Sequence, residues 1–318
     1  MNNERLNQAI NYETLLLASN YNNALVDKIY NDNKNDLVAP LLTNFSKFAE
    51  FLDINSENLC KFYFKVRDKF SMLPKKSNII CTDDDTWPKR IDEFPYCPKF
   101  LYYMGDIDLL DKKIVSIVGT KAPSDEDKTL VTKTVEALIK KGIVVSTGLS
   151  LGIGGQASAE SVKHFAPTIA VIGTGLNQYY PTDHKKLQTF IATEGGLVIT
   201  MVSPASPSQN FKFNFLLRNR LLSALSNAIL IIDERDNGGA IKMTEVALEN
   251  KRDVYFYSSL LKREDLKWPK EFNKIEGVHV VRYPGNLANK VIGYVPKRKD
   301  RSKTLKPSGT KDVQLSLF

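Results

Sequence analysis

Five short phrases in this sequence bring glycine, basic and aromatic residues together in a way that suits holding a chain of phosphates. Gly119, Thr120 and Lys121 end an apolar run, so a tight turn is followed by an ammonium group. Gly148, Gly152, Gly154 and Gly155 lie within S-T-G-L-S-L-G-I-G-G-Q (Ser146 to Gln156), ahead of a helix predicted to begin near Gln156. Free amides at such a helix start attract an anion. Gly173, Gly175 and Asn177 follow a third apolar run, with Tyr179, Tyr180, Pro181, Lys185 and Lys186 next. Aromatic faces beside cations are the usual equipment for single-stranded nucleic acid. Arg218, Asn219 and Arg220 come after N-F-K-F-N-F and are expected at a helix start, where guanidinium forks match phosphate oxygens. Gly238 and Gly239 form one more glycine loop before a helix, just past Asp233 and Glu234.

Each phrase also has a plainer reading. The tyrosines can belong to a core, the lysines to a solvated face, and the glycines to close packing of helix on sheet. The arginines can pair within the domain with Asp233, Glu234 or Asp236. Catalysis is poorly provided for. Cys60, Cys81 and Cys97 are far apart, as are His164, His184 and His279, and no C-x-x-C occurs. Neither a zinc site nor a disulfide framework is expected, and no cofactor. No nucleophile stands beside a base. A binding protein is therefore favoured over an enzyme. The alternative is a nucleotide-binding sensor or phosphoribohydrolase-like enzyme, suggested by the G-G…T-E between Gly238 and Glu245.

The elements that must position these residues follow from periodicity. Residues 1–75 read as a small helical domain, with apolar residues such as Leu15, Leu16, Leu25, Val26 and Ile29 at near-helical spacing. Residues 76–112 form a connector rich in proline and aromatics, expected to drape over the core. From Lys113 the pattern alternates strand and helix. Candidate strands are Ile114–Val118, Ile143–Thr147, Thr168–Ile172, Leu197–Thr200, Ala228–Ile232, Val254–Tyr257 and Val278–Val281. They are nearly continuous in apolar residues, as strands buried on both faces are. The fold class is thus α/β, a Rossmann-like and mostly parallel sheet over 113–295. Ligands of such sheets lie beyond the carboxyl ends of the strands.

Residues 296–318 are Lys-, Arg-, Ser- and Pro-rich and are expected to be disordered. From Lys297 on, seven Lys or Arg and two Asp carry +5 of the chain's net +8. That excess suits an acidic partner such as nucleic acid. No apolar run reaches the roughly 20 residues of a membrane span, and the N-terminus lacks a signal-peptide pattern, so a cytoplasmic protein with no membrane contact is expected.

Taken in order, these phrases resemble the DNA-processing protein A (DprA/Smf) family. The matching stretches are I-V-G-T-K (Ile117–Lys121), T-G-L-S-L-G-I-G (Thr147–Gly154), V-I-G-T-G-L-N-Q-Y-Y-P (Val171–Pro181), F-L-L-R-N-R-L-L-S-A-L-S (Phe215–Ser226), N-G-G-A-I-K-M-T-E (Asn237–Glu245) and K-R-D-V (Lys251–Val254). The resemblance implies a dimeric single-stranded DNA-binding mediator that delivers DNA to a RecA-type recombinase in recombination or natural transformation. It implies DNA contacts from Lys121, Lys185 or Lys186, Arg218, Arg220 and the Gly173–Asn177 loop. The chain departs from the family in having Lys121 for an arginine, Gly154 and Ser158 near the places of an aspartate and a histidine, and Asn177 for an aspartate. The C-terminal winged helix of many members is not expected. Instead the last residues, Q-L-S-L-F, resemble the peptide by which bacterial proteins dock on the DNA polymerase sliding clamp. Gln314, Leu315, Leu317 and Phe318 would be its contacts.

Overall fold

The computed structural model describes residues 2–92, 97–206 and 211–293. The proposed clamp-docking residues Gln314, Leu315, Leu317 and Phe318, and the stretch expected to be disordered, lie outside the described residues.

The N-terminal part contains four α-helices: α1 (Asn3–Ala18), α2 (Asn23–Asp32), α3 (Phe45–Phe51) and α4 (Ser56–Ser71). With no glycine available, asparagine starts the helices. Asn2, Asn22 and Asn55 each cap a following backbone N–H, at Glu4, Leu25 and Glu57. The apolar faces of these helices meet around Leu15, Tyr30, Leu37, Phe48 and Leu59, all fully buried.

A nine-stranded sheet follows. Its strands are β1 (Asn78–Cys81), β2 (Phe100–Gly105), β3 (Ile114–Val118), β4 (Val144–Thr147), β5 (Thr168–Val171), β6 (Leu197–Thr200), β7 (Ala228–Ile231), β8 (Asp253–Tyr257) and β9 (Val278–Val281). They are ordered β1-β2-β6-β5-β4-β3-β7-β8-β9. From β6 to β9 every pairing is parallel, whereas β1–β2 and β2–β6 are antiparallel. The seven strands predicted from the sequence are all present. The stretch read as a draped connector also supplies β1 and β2, which extend the sheet at one edge.

One face of the sheet is covered by α8 (Phe211–Leu225), α9 (Gly239–Glu249) and α10 (Trp268–Phe272). The other carries α5 (Asp125–Ile139), α6 (Ile153–Lys163) and α11 (Pro284–Ile292), then α7 (Lys185–Thr193). The N-terminal helices join this second face. Tyr12, Tyr30 and Phe70 pack edge-on against Phe100 or Tyr102 of β2. One apolar cluster runs from those helices to Leu149, Ile172 and Leu176 in the loops after β4 and β5. The chain leaves β3 toward β4 on one side and returns to β7 on the other. That reversal opens a crevice at the carboxyl ends of the central strands.

Candidate nucleic-acid interface

The rim of the crevice is set by how α8 is held. At its carboxyl end, Ser226 Oγ lies 2.5 Å from Ser116 Oγ of β3, which lies 2.6 Å from Ser146 Oγ of β4. Ile114 N donates to Asn227 Oδ1 at 2.8 Å. Buried hydroxyls and amides in such a chain fix geometry because leaving any of them unpaired costs about 1–3 kcal/mol. Thus anchored, the helix runs back toward the rim and carries Arg218 there, about 12 Å away along its axis.

Arg218 is only 9% exposed. Its guanidinium lies against the backbone of Gly148, the residue after β4, where any β-carbon would overlap it. Gly173, after β5, faces the same stretch of α8: a β-carbon there would lie 3.3 Å from the Phe215 ring and 3.5 Å from Arg218 Cβ. The guanidinium carbon sits 5.1 Å from the centre of the Phe215 ring, and Phe215 meets Tyr180 edge-on at 5.4 Å. Among the described residues, Arg218 has no carboxylate within 4.0 Å, and its Nε has no hydrogen-bond partner. Burial alone lowers its pKa from the ordinary value to about 10, so it stays a cation at neutral pH. A buried charge without a counter-ion costs several kcal/mol. In the loop after β5, Asn177 Oδ1 is also buried without a partner among the described residues, 3.0 Å from where a β-carbon on Gly175 would stand.

The other predicted residues are reached from here by contact. Gly152 adopts φ +72, and its backbone approaches the Thr120 carbonyl and the Lys121 backbone so closely that no side chain fits. Gly155 lies under the His184 ring, whose Nδ1 is 3.0 Å from Leu149 O. Lys185 follows, with Nζ 5.1 Å from the centre of the Tyr179 ring. Lys121, Lys185 and Lys186 are exposed. Gly119 is pressed against Asp233 O, to which Thr120 N donates at 2.7 Å. The β3, β4 and β5 loops therefore share one rim with Arg218. His184, which sequence reasoning passed over as a scattered histidine, ties two of those loops together.

Several expectations are corrected. Arg218, Asn219 and Arg220 lie in the middle of α8, not at a helix start. Two residues turn an α-helix by about 200°, so Arg220 is carried round toward the opposite side from Arg218. Asn219, between them, is half-buried. Helix α6 begins at Ile153, not near Gln156, and two of its first amides are already used: Ile153 N donates to Thr120 O at 3.1 Å and Gly155 N to Ser150 O at 2.8 Å. Gly148, Gly152 and Gly155 thus permit close packing, while Gly154 lies within the first turn against Ser150.

At Gly238 and Gly239 an anion is already in place, supplied by the chain itself. The Glu234 carboxylate accepts from Ala240 N and Arg235 N, each at 3.1 Å, and fills the space above Gly238. The Asp233 carboxylate faces Arg263 at 3.4 Å, and Asp236 accepts from Lys267 N at 3.0 Å and Trp268 N at 3.1 Å. Arg218 takes no part in these pairs.

Among the described residues no group of His, Cys, Asp and Glu forms a metal-binding cluster, and no helix is long and apolar enough to cross a membrane. A sequence profile described as DNA recombination-mediator protein A matches residues 78–281, well over half of the chain. DNA processing protein DprA of Streptococcus pneumoniae (strain ATCC BAA-255 / R6) is 33% identical over 198 residues, which is 61% of this chain and 67% of that protein. Protein Smf of Synechocystis sp. is 33% identical over 185 residues, 57% of this chain and 46% of that protein. The chain therefore spans about half the length of this second relative. The X-ray structure of Streptococcus pneumoniae DprA superposes with a TM-score of 0.69 at 27% identity, covering 89% of this chain and 97% of that one. A structure of DNA processing protein A from Helicobacter pylori, described for its single-stranded DNA binding mode, superposes with a TM-score of 0.60 at 25% identity over 69% of this chain and 96% of that one. By sequence and by fold, the chain belongs to the DNA recombination-mediator protein A family.

Proposed function

We propose that this protein binds single-stranded DNA along the β3–β5 rim and acts as a DNA-processing and recombination mediator. One observation carries the reading: a buried guanidinium, with no acidic partner among the described residues, lies against Gly148, whose missing side chain leaves room for it. A charge held in that way calls for an anion from outside, and guanidinium geometry suits phosphate oxygens. In this reading Arg218 takes one phosphate oxygen at the centre. Lys121, Lys185 and Lys186 attract neighbouring phosphates from exposed positions, and the Tyr180 ring, 45% exposed, gives a base a stacking face. Duplex DNA keeps its bases stacked inside and offers none to Tyr180.

The same reading includes a cytoplasmic homodimer that hands its DNA to a RecA-type recombinase, with Gln314, Leu315, Leu317 and Phe318 docking on a sliding clamp. Its support is the sequence resemblance. We assign no catalytic step. The carboxylates near Gly238 are engaged in capping and pairing, which speaks against a phosphoribohydrolase-like site there. The test is oligonucleotide binding at several ionic strengths. Tighter binding of single strands than of duplex, weakening steeply with salt, is expected. Equal binding of both forms, or no salt dependence, contradicts the proposal.

A further inference from the structure

The positive charge of this chain is gathered in two stretches of its sequence. Residues 61–76 contain six Lys or Arg and one Asp, a net +5 within sixteen residues. The stretch from Lys297 carries another +5, and subtracting both from +8 leaves the rest of the chain at −2. The 61–76 cluster is therefore a local concentration and not an average surface. It lies on α4 and the turn after it. Leu59, Tyr63, Val66 and Phe70 form the buried side of that helix.

The opposite side is exposed and basic. Lys61, Lys65 and Lys69 recur every four residues, so they form one stripe with steps of about 6 Å. Like charges at that spacing repel one another. Lys61 is paired with Glu57 at 3.0 Å, but among the described residues neither Lys65 nor Lys69 has a carboxylate within 4.0 Å. Beside the stripe, Phe64 is 37% exposed, and the Arg67 guanidinium carbon lies 4.6 Å from its ring centre. Lys75 and Lys76 prolong the basic surface beyond the helix.

We infer that the outer face of α4 is a second nucleic-acid surface, which takes the sugar–phosphate backbone of the strand held at the rim. This inference rests on the rim reading above. Two observations select that occupant. The stripe is complementary to a polyanion and carries an aromatic face, the pairing that suits unpaired polynucleotide. The buried side of the same helix shares one apolar cluster with Leu149, Ile172 and Leu176 of the rim loops, so both surfaces belong to one packed body.

The test uses the full chain with Lys65→Gln, Arg67→Gln and Lys69→Gln combined. All three residues are exposed, and an unchanged melting temperature verifies the fold. Binding is measured against salt for a short single strand and for one several times longer. For the long strand, the slope of log affinity against log salt is expected to flatten by about 2, at roughly 0.7 per lost phosphate contact. The short strand is expected to bind the variant and the parent protein equally. An unchanged slope for the long strand overturns the inference while leaving the rim intact. Loss of binding to phosphatidylserine vesicles with no change toward oligonucleotide also overturns it. If the parent protein binds neither strand, both the rim reading and this inference fall. Phe64→Ala is a second variant, expected to weaken the long strand without changing its salt slope.

Discussion

The two halves of the rim make opposite use of their charged groups. Around β7 every carboxylate has a partner inside the chain: Glu234 caps α9, Asp236 accepts from Lys267 and Trp268, and Asp233 faces Arg263. Around β4 and β5, Arg218 Nε and Asn177 Oδ1 are buried and have no partner among the described residues. A protein normally satisfies buried polar groups, because each one left alone weakens the fold. The first half is therefore complete as it stands and works for stability. In the proposed reading, the second half is the one that takes its missing partner from outside. A glycine loop before a helix is not enough to tell them apart, since both halves have one.

This contrast can be broken by substitutions that should behave in opposite ways. The largest effect is expected for Gly148→Ala, whose added methyl overlaps the Arg218 guanidinium. Oligonucleotide affinity should fall more than tenfold in an anisotropy titration, with a stability loss of about 1–3 kcal/mol from overpacking. An unchanged affinity would mean that the guanidinium is not where the strand binds. Next is Glu234→Ala, which removes the α9 cap. Stability in urea should fall by about 1–2 kcal/mol, the usual cost of a lost cap, while affinity for single strands stays as it was. A matching drop in affinity would place the β7 half in the binding site and erase the distinction.

Arg218→Lys should weaken binding less than Gly148→Ala, because charge is kept while the fork is lost. A variant that binds as well as the parent protein would show that charge alone suffices. The smallest effect concerns pH. Burial, then Asp127, raises the Asp233 pKa from its ordinary value against the pull of Arg263. A raised carboxyl binds its proton more tightly folded than unfolded, so its contribution to stability is full below the unfolded pKa and is lost as pH rises through the folded one. Asp233→Asn should remove that loss from the acid limb of the stability profile just above the ordinary carboxylate range. An identical acid limb in both proteins would count against it.

How much of this was legible in the residues can be followed along the chain. The parallel strands were, because each is a short β-branched run bounded by glycine or a polar turn, and their ends place the rim loops. Strands β1 and β2 were not. N-I-I-C is only four residues long, and β2 follows a proline-rich stretch that reads as irregular chain. Arg218 was picked out for its type, but its burial was not foreseen, since arginine is ordinarily exposed. The sequence places Arg218–Arg220 at a helix start, whereas α8 already runs from Phe211. Glu234 caps Ala240 from six residues upstream, a relation that no local motif announces. The basic face of α4 is hard to see in the sequence because its lysines alternate with core residues, and the chain ahead of Lys297 carries a net charge of only +3.

The most direct test of the central claim is the affinity of Arg218→Met for a single-stranded oligonucleotide, measured together with the melting temperature of the free protein. If Arg218 is held for a phosphate, affinity should drop by roughly 30-fold, or about 2 kcal/mol for a charged hydrogen bond, while the melting temperature stays level or rises once the buried charge is gone. A fall in melting temperature with affinity untouched would show that Arg218 serves the fold and that the strand binds elsewhere.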